Sequence, residues 1–270
     1  MLELYQFELS QFSEKVRLIL DYKGLEYKKV EVTPGIGQLE VYKISGQRQV
    51  PVLKDGDTVI ADSTEIALYL DRKYPEKPLI PTDGVARGKC LLMEEWADES
   101  LGLKGRKAFF HALNHYPSFR SSFLPENTPD ILKTFVNAFP SEIMDVFSLG
   151  VGFGKDVLKE AEKGLKQDLE ALTLILHDQP YLTGDKPTLA DLTVAALTTI
   201  IKFPSVAYYD LDINLEGKGI PGLADNSAYE PFFTWRDRIY ADFRQPVDKS
   251  NRNNSSGNSG DSKPTTIEIE

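Results

Sequence analysis

"QVPVLKDGDTVIADSTEIALYL", residues 49–70, holds a turn signal, a proline and a change of hydrophobic period within 22 residues. Two short apolar runs flank Asp55-Gly56, a strong mark of a tight hairpin turn because glycine accepts a positive φ. Pro51 has no N–H to give to a ladder, so it belongs at a strand start or edge. Taken locally it reads as an ordinary trans proline, since only about 5% of X–Pro bonds are cis. After Asp62-Ser63-Thr64 the period changes. Ile66, Ala67 and Leu70 share a helical face that ends before Pro75. The stretch is therefore strand, strand, helix.

Upstream, "LELYQF" alternates as a short strand. From Ser10 the pattern turns helical, with Val16, Ile19, Leu20 and Leu25 on one face and Gly24 as a stop. "LEYKKVEV" is a second strand, and residues 33–48 read as irregular. The order over residues 1–82 is β-α-β, a link, then β-β-α. Downstream, "EKPLIPTDGVARG" (76–88) has the proline and glycine content of a linker. Strand signals stop there, and helices are expected over 86–114, 129–148, 154–178, 188–203 and 229–242. The chain thus divides into an α/β domain (1–82), an all-helical domain (83–245) and a tail (246–270) whose Ser, Asn and Gly content predicts disorder.

Of the 270 residues, 41% are hydrophobic and 27% charged, and the net charge is −10. That balance supplies a core and argues against non-specific attraction to nucleic acid or anionic membrane, which needs clustered Lys and Arg. No apolar run approaches the roughly 18 residues of a membrane span, and "MLELYQFELS" lacks the basic and apolar regions of a signal peptide. A cytosolic setting is the expectation. With one cysteine, Cys90, no intrachain disulfide can form, and its helical context suits a packing residue. One Cys and three His show no metal-ligand spacing.

Four groups of residues could carry chemistry. Ser10 and Ser13 stand where strand gives way to helix, so either caps the helix or donates a hydrogen bond to an anion held at its positive end. Asp62 and Ser63 open the next helix and allow the same two readings: a cap, or a site for a ligand carboxylate and ammonium. Thr188-x-x-Asp191 matches a capping box before an apolar helix, and reads as structural. In "GRKAFFHALNHY", Phe110 and Leu113 read as core, while Arg106, Phe109 and Tyr116 could line an apolar pocket against the first domain.

Taken as an ordered set, the opening strand, "SQFS" at the helix start, "QVPVL", "DS" at the next helix, the Pro-rich linker and "PTLAD" resemble a soluble glutathione S-transferase over residues 1 to about 245. The resemblance implies a thioredoxin-like first domain with a cis Pro51, a helical second domain, and a homodimer. It implies that glutathione is the co-substrate, bound through Ser13, Gln49, Val50, Pro51, Asp62 and Ser63, with no metal. Ser10 takes the position of the catalytic serine, where other members carry cysteine. Gln11 stands where proline is usual, and Asp62 where Glu or Gln is commoner. A free thiol has a pKa of about 8.5. A hydroxyl donor and a helix N-terminus together would lower it, releasing a thiolate to attack an apolar electrophile held near Arg106, Phe109 and Tyr116. Thiol-transfer chemistry is expected to be weak without a cysteine at 10 or 13. A non-catalytic module that binds glutathione or a protein partner is the competing expectation.

Overall fold

The computed structural model describes residues 1–33, 37–125, 128–132 and 155–248. A four-stranded mixed sheet comes first: β1 (Leu2–Gln6), β2 (Tyr27–Glu31), β3 (Val52–Asp55) and β4 (Thr58–Ala61), in the order β2-β1-β3-β4. β1 and β2 are parallel, so the chain needs a crossover between them. That crossover is α1 (Gln11–Lys23). It stops at Gly24, whose φ of +70° lets its N–H turn back to Asp21 O. β3 runs antiparallel to both β1 and β4 through the hairpin at Asp55-Gly56. α3 (Ser63–Lys73) then packs beside α1.

Residues 33–48, expected to be irregular, contain a helix, α2 (Gln38–Ser45), closed by Gly46 at φ +76°. Its only buried residue is Val41, while Leu39 and Tyr42 are exposed. No amphipathic stripe existed to be read.

In the second half, α4 (Gly84–Trp96), a π-helical stretch (Ala97–Gly102) and α5 (Leu103–His115) follow without a break. Among the described residues, α6 (Pro117–Ser121), α7 (Lys155–Asp178), α8 (Leu189–Leu197) and α9 (Glu230–Phe243) follow. Most of the helix expected over 129–148 lies outside the described residues. The helix expected over 188–203 ends at Leu197, where the hydroxyls of Thr198 and Thr199 bond back to Val194 O and Ala196 O. Such side-chain bonds compete with helix continuation. The capping box at Thr188 and Asp191 is formed, with Asp191 Oδ2 accepting from Thr188 N at 2.8 Å.

Every residue of α8 is buried, as a helix apolar on all sides must be. It packs against α1, so one apolar cluster joins Leu4, Leu18 and Ile66 of the first half to Leu192, Phe232 and Tyr240 of the second. Cys90 belongs to this cluster, its Sγ 3.9 Å from Leu79 O, and burial pushes its thiol pKa up. Phe110 does not: it is 39% exposed, and Phe109 takes the inward position instead. No helix among the described residues is long and apolar enough to cross a membrane.

Candidate functional site

The strand register gathers three connections at one end of the sheet. Tyr5 of β1 faces Val52 of β3, and Val52 faces Ala61 of β4. The segment after β1 (Phe7–Ser10), the segment before β3 (Val50–Pro51) and the segment after β4 (Asp62–Ser63) therefore lie together. The Val50–Pro51 bond is cis. This corrects the local trans reading. The trans preference of an X–Pro bond is only about 0.5–1 kcal/mol, so tertiary context decides it.

Ser10 is the N-cap of α1. Its Oγ accepts from Ser13 N at 3.2 Å, and its carbonyl accepts from Glu14 N at 2.9 Å. Capping and chemistry are not exclusive here. A capping hydroxyl uses an oxygen lone pair and keeps its proton to donate. Ser10 is half-buried, whereas Ser13 is fully buried and its Oγ has no partner among the described residues. Ser13 supports the cap through its backbone N–H.

At the same end of the sheet, beyond β4, Asp62 adopts φ +76° and caps α3, its Oδ1 accepting from Thr64 N at 2.9 Å and Glu65 N at 3.1 Å. The buried Ser63 hydroxyl donates to Asp98 Oδ1 at 3.3 Å. Asp98 comes from the π stretch of the second half, and it also accepts from Lys15 Nζ at 2.7 Å. Lys15 is wholly buried and bonds to Glu94 Oε1 at 2.6 Å and Thr64 Oγ1 at 2.9 Å. A buried ammonium needs this full set of partners, since an unpaired one would cost several kcal/mol.

The remaining expected site residues are more dispersed. Gln49 is exposed and Val50 half-buried ahead of Pro51. Phe109 packs edge-on against Phe110, Phe119, Phe123 and Phe203, with ring centroids 5.5–6.2 Å apart. Arg106 lies exposed one turn earlier on α5, and Tyr116, 42% exposed, ends that helix. Phe109 is thus placed in an aromatic cluster, with Arg106 and Tyr116 at the surface.

The comparisons with known proteins agree with this architecture. Residues 4–78 match the model of the glutathione S-transferase N-terminal domain, and residues 155–238 that of the C-terminal domain. Glutathione S-transferase 1 of Dianthus caryophyllus is 32% identical over 199 residues, covering 72% of this chain and 74% of its own. The chain belongs to the glutathione S-transferase family. Glutathione S-transferase Z2 of Arabidopsis thaliana is 44% identical over 85 residues, covering 30% of this chain and 38% of its own. Among solved structures, the β-etherase LigF of Sphingobium sp. strain SYK-6 shares the fold with a TM-score of 0.66 at 24% identity, over 89% of this chain and 95% of that one.

Within this family member, sequence reasoning missed Lys15, Glu94 and Asp98. A signal existed in the acidic run "EEWADES" on a helix otherwise apolar enough to be packed. It also missed Glu8, two residues before Ser10. Burial raises the Glu8 pKa, but Arg17, Lys29, the Asp210 N–H and the Gln6 amide outweigh it and bring the value to about 2. Glu8 therefore stays ionised and bonds to Asp210 N at 2.8 Å, tying the segment before α1 to the helical half.

Proposed function

We propose that this chain is a serine-type glutathione transferase in which Ser10 activates the glutathione thiol. The observation that carries the reading is the convergence of Ser10, Val50–Pro51 and Asp62–Ser63 at one end of the sheet. The Ser10 Oγ–H donates to the glutathione sulfur while its oxygen stays anchored by Ser13 N. The N-terminal turn of α1 adds partial positive charge at the same place. Together they favour thiolate over thiol, whose proton passes to solvent. The thiolate attacks an electrophilic carbon of an apolar second substrate beside α5, forming the C–S bond as the leaving group departs with its bonding electron pair. Val50 and Gln49 bind the cysteinyl portion, and Asp62, through its second carboxylate oxygen, and the Ser63 N–H bind the γ-glutamyl portion. The Ser63 hydroxyl enters that portion by exchanging Asp98 for the ligand. The chain works as a cytoplasmic homodimer without a metal.

Ser10→Ala tests this. Glutathione should raise the melting temperature of wild type and variant alike, while conjugation of a generic aromatic electrophile falls about a hundredfold in the variant, the scale of losing one donor to a developing charge. Binding without turnover, unchanged by Ser10→Ala, would establish the non-catalytic module instead. Loss of turnover in Ser13→Ala but not Ser10→Ala would move the activating role to Ser13.

A further inference from the structure

The helix from Gly84 to His115 changes its bonding period once, at the π stretch Ala97–Gly102. Insertions of this kind recur at functional sites because they re-aim one turn of a helix without ending it. Here the stretch touches both ends of the site. Asp98 near its start meets Ser63 Oγ and Lys15 Nζ. Gly102 at its end accepts a 2.7 Å hydrogen bond from Gln11 Nε2.

Gln11 is bonded covalently to Ser10 and is the first residue of α1. It is 4% exposed, so water does not compete for its bond to Gly102. A Cβ on Gly102 would stand 3.0 Å from Nε2 and 3.2 Å from Leu197 Cδ1, so the absent side chain is what lets the amide lie against the helix. The other amide atom, Oε1, is buried with no partner among the described residues. Leaving a buried amide oxygen unpaired is destabilising. An apolar side chain of similar length would avoid that cost, so stability alone does not account for a glutamine here.

We infer that Gln11 is a positioning residue for Ser10: its single bond to the π stretch fixes how the start of α1 faces the helical half, and so where the Ser10 hydroxyl points. The same stretch holds the start of α3 through Lys15, which donates to Asp98 Oδ1 and to Thr64 Oγ1. One helical irregularity thereby sets the spacing between the sulfur end and the γ-glutamyl end of the site. The inference rests on the reading of Ser10 given above. A hydroxyl that must meet a sulfur tolerates little displacement, since misplacement by about 1 Å can cost up to a hundredfold in rate.

The test uses the full chain carrying Gln11→Met, which keeps length and removes the donor, and Gly102→Ala, which pushes on the same bond from the other side. The readouts are the pH midpoint of thiolate formation for bound glutathione, from its ultraviolet absorbance, together with kcat, KM and melting temperature. Both variants should raise the midpoint by about one pH unit. They should lower kcat about tenfold below that midpoint while KM for glutathione stays within about twofold. In the Gln11→Met background, Gly102→Ala should add no further shift. A lowered melting temperature with wild-type midpoint and kcat in both variants would reduce Gln11 to a structural clasp and overturn the inference. Ser10→Ala, measured alongside, separates the two failures. If it raises the midpoint and Gln11→Met and Gly102→Ala do not, only the positioning role falls. If Ser10→Ala leaves the midpoint unmoved, the reading of Ser10 falls and takes this inference with it.

Discussion

Asp62 holds φ +76° and ψ 133°, a region that side-chain-bearing residues seldom occupy and that costs on the order of 1–3 kcal/mol. The two N–H bonds its Oδ1 accepts offset that cost. Asp62→Ala keeps the strain and loses both bonds, so its urea midpoint should fall by the equivalent of about 1–2 kcal/mol. Asp62→Gly loses the bonds but also the strain, and should stay within about 1 kcal/mol of wild type. Equal stability of Ala and Gly variants would show that the backbone strain is not real. This residue was legible in the sequence because capping is local, acting over two or three positions. Lys15 was not. Its carboxylate partners lie 79 and 83 residues away, and nothing in "SEKVR" distinguishes a lysine facing water from one sealed against another helix.

The same division appears among the elements. α1, β3, β4 and α3 could be read in outline because periodicity, the Asp-Gly turn and N-caps all act within one segment. The residues after α8 could not. The chain there folds back by main-chain pairing, with Phe203 N donating to Lys218 O and Ile220 N to Ile201 O, both at 2.8 Å. Backbone bonds leave little trace in side-chain identity, except at one position. A Cβ on Gly219 would stand 2.1 Å from Ile201 O, so Gly219→Ala must push two backbones apart. It should destabilise the chain by about 1–3 kcal/mol in urea unfolding. A wild-type midpoint would mean that this close pairing is absent in solution.

The capping box of α8 carries a pH signature. Burial raises the Asp191 pKa from an ordinary 3.8 to about 6, against the hydrogen bonds from Leu182 and Thr188 that lower it. The folded chain therefore holds this proton more tightly than the unfolded one. The resulting stabilisation is complete below pH 3.8 and is lost as pH rises through about 6. It amounts to roughly 3 kcal/mol at most. Asp191→Asn should flatten the fall in unfolding free energy across this window. It should also cost stability at every pH, because the amide cannot accept from both backbone N–H groups. A variant whose curve falls in parallel with wild type would show that Asp191 is not the titrating group.

At the scale of the whole molecule, the two halves are fastened by charge as well as by core. Arg244, just beyond α9, is buried and bonds to Glu14 and Asp21 on α1, and Glu14 also binds Arg17. Arg17 in turn donates to the Glu8 carbonyl at 2.8 Å. Val247, at the start of the stretch expected to be disordered, donates to Ala207 O, while residues 249–270 lie outside the described chain. The sequence pattern passes from strands to helices between the halves, yet it hides this fastening, because each pair joins residues far apart in sequence. Removing one cation from a buried pair strands its partner, so Arg244→Met should cost about 3–5 kcal/mol. Glu8 places the pH limit of the same network. Its pKa is about 2 in the folded chain against an ordinary 4.5, so its stabilisation is complete above pH 4.5 and is lost as pH falls through about 2. This is opposite in sign to Asp191, and it acts in a lower window. Acid titration of unfolding free energy should show wild type losing roughly 3 kcal/mol across that window relative to Glu8→Gln. If the two proteins lose stability in step, the Glu8 carboxylate is not what ties the Ser10 segment to the helical half.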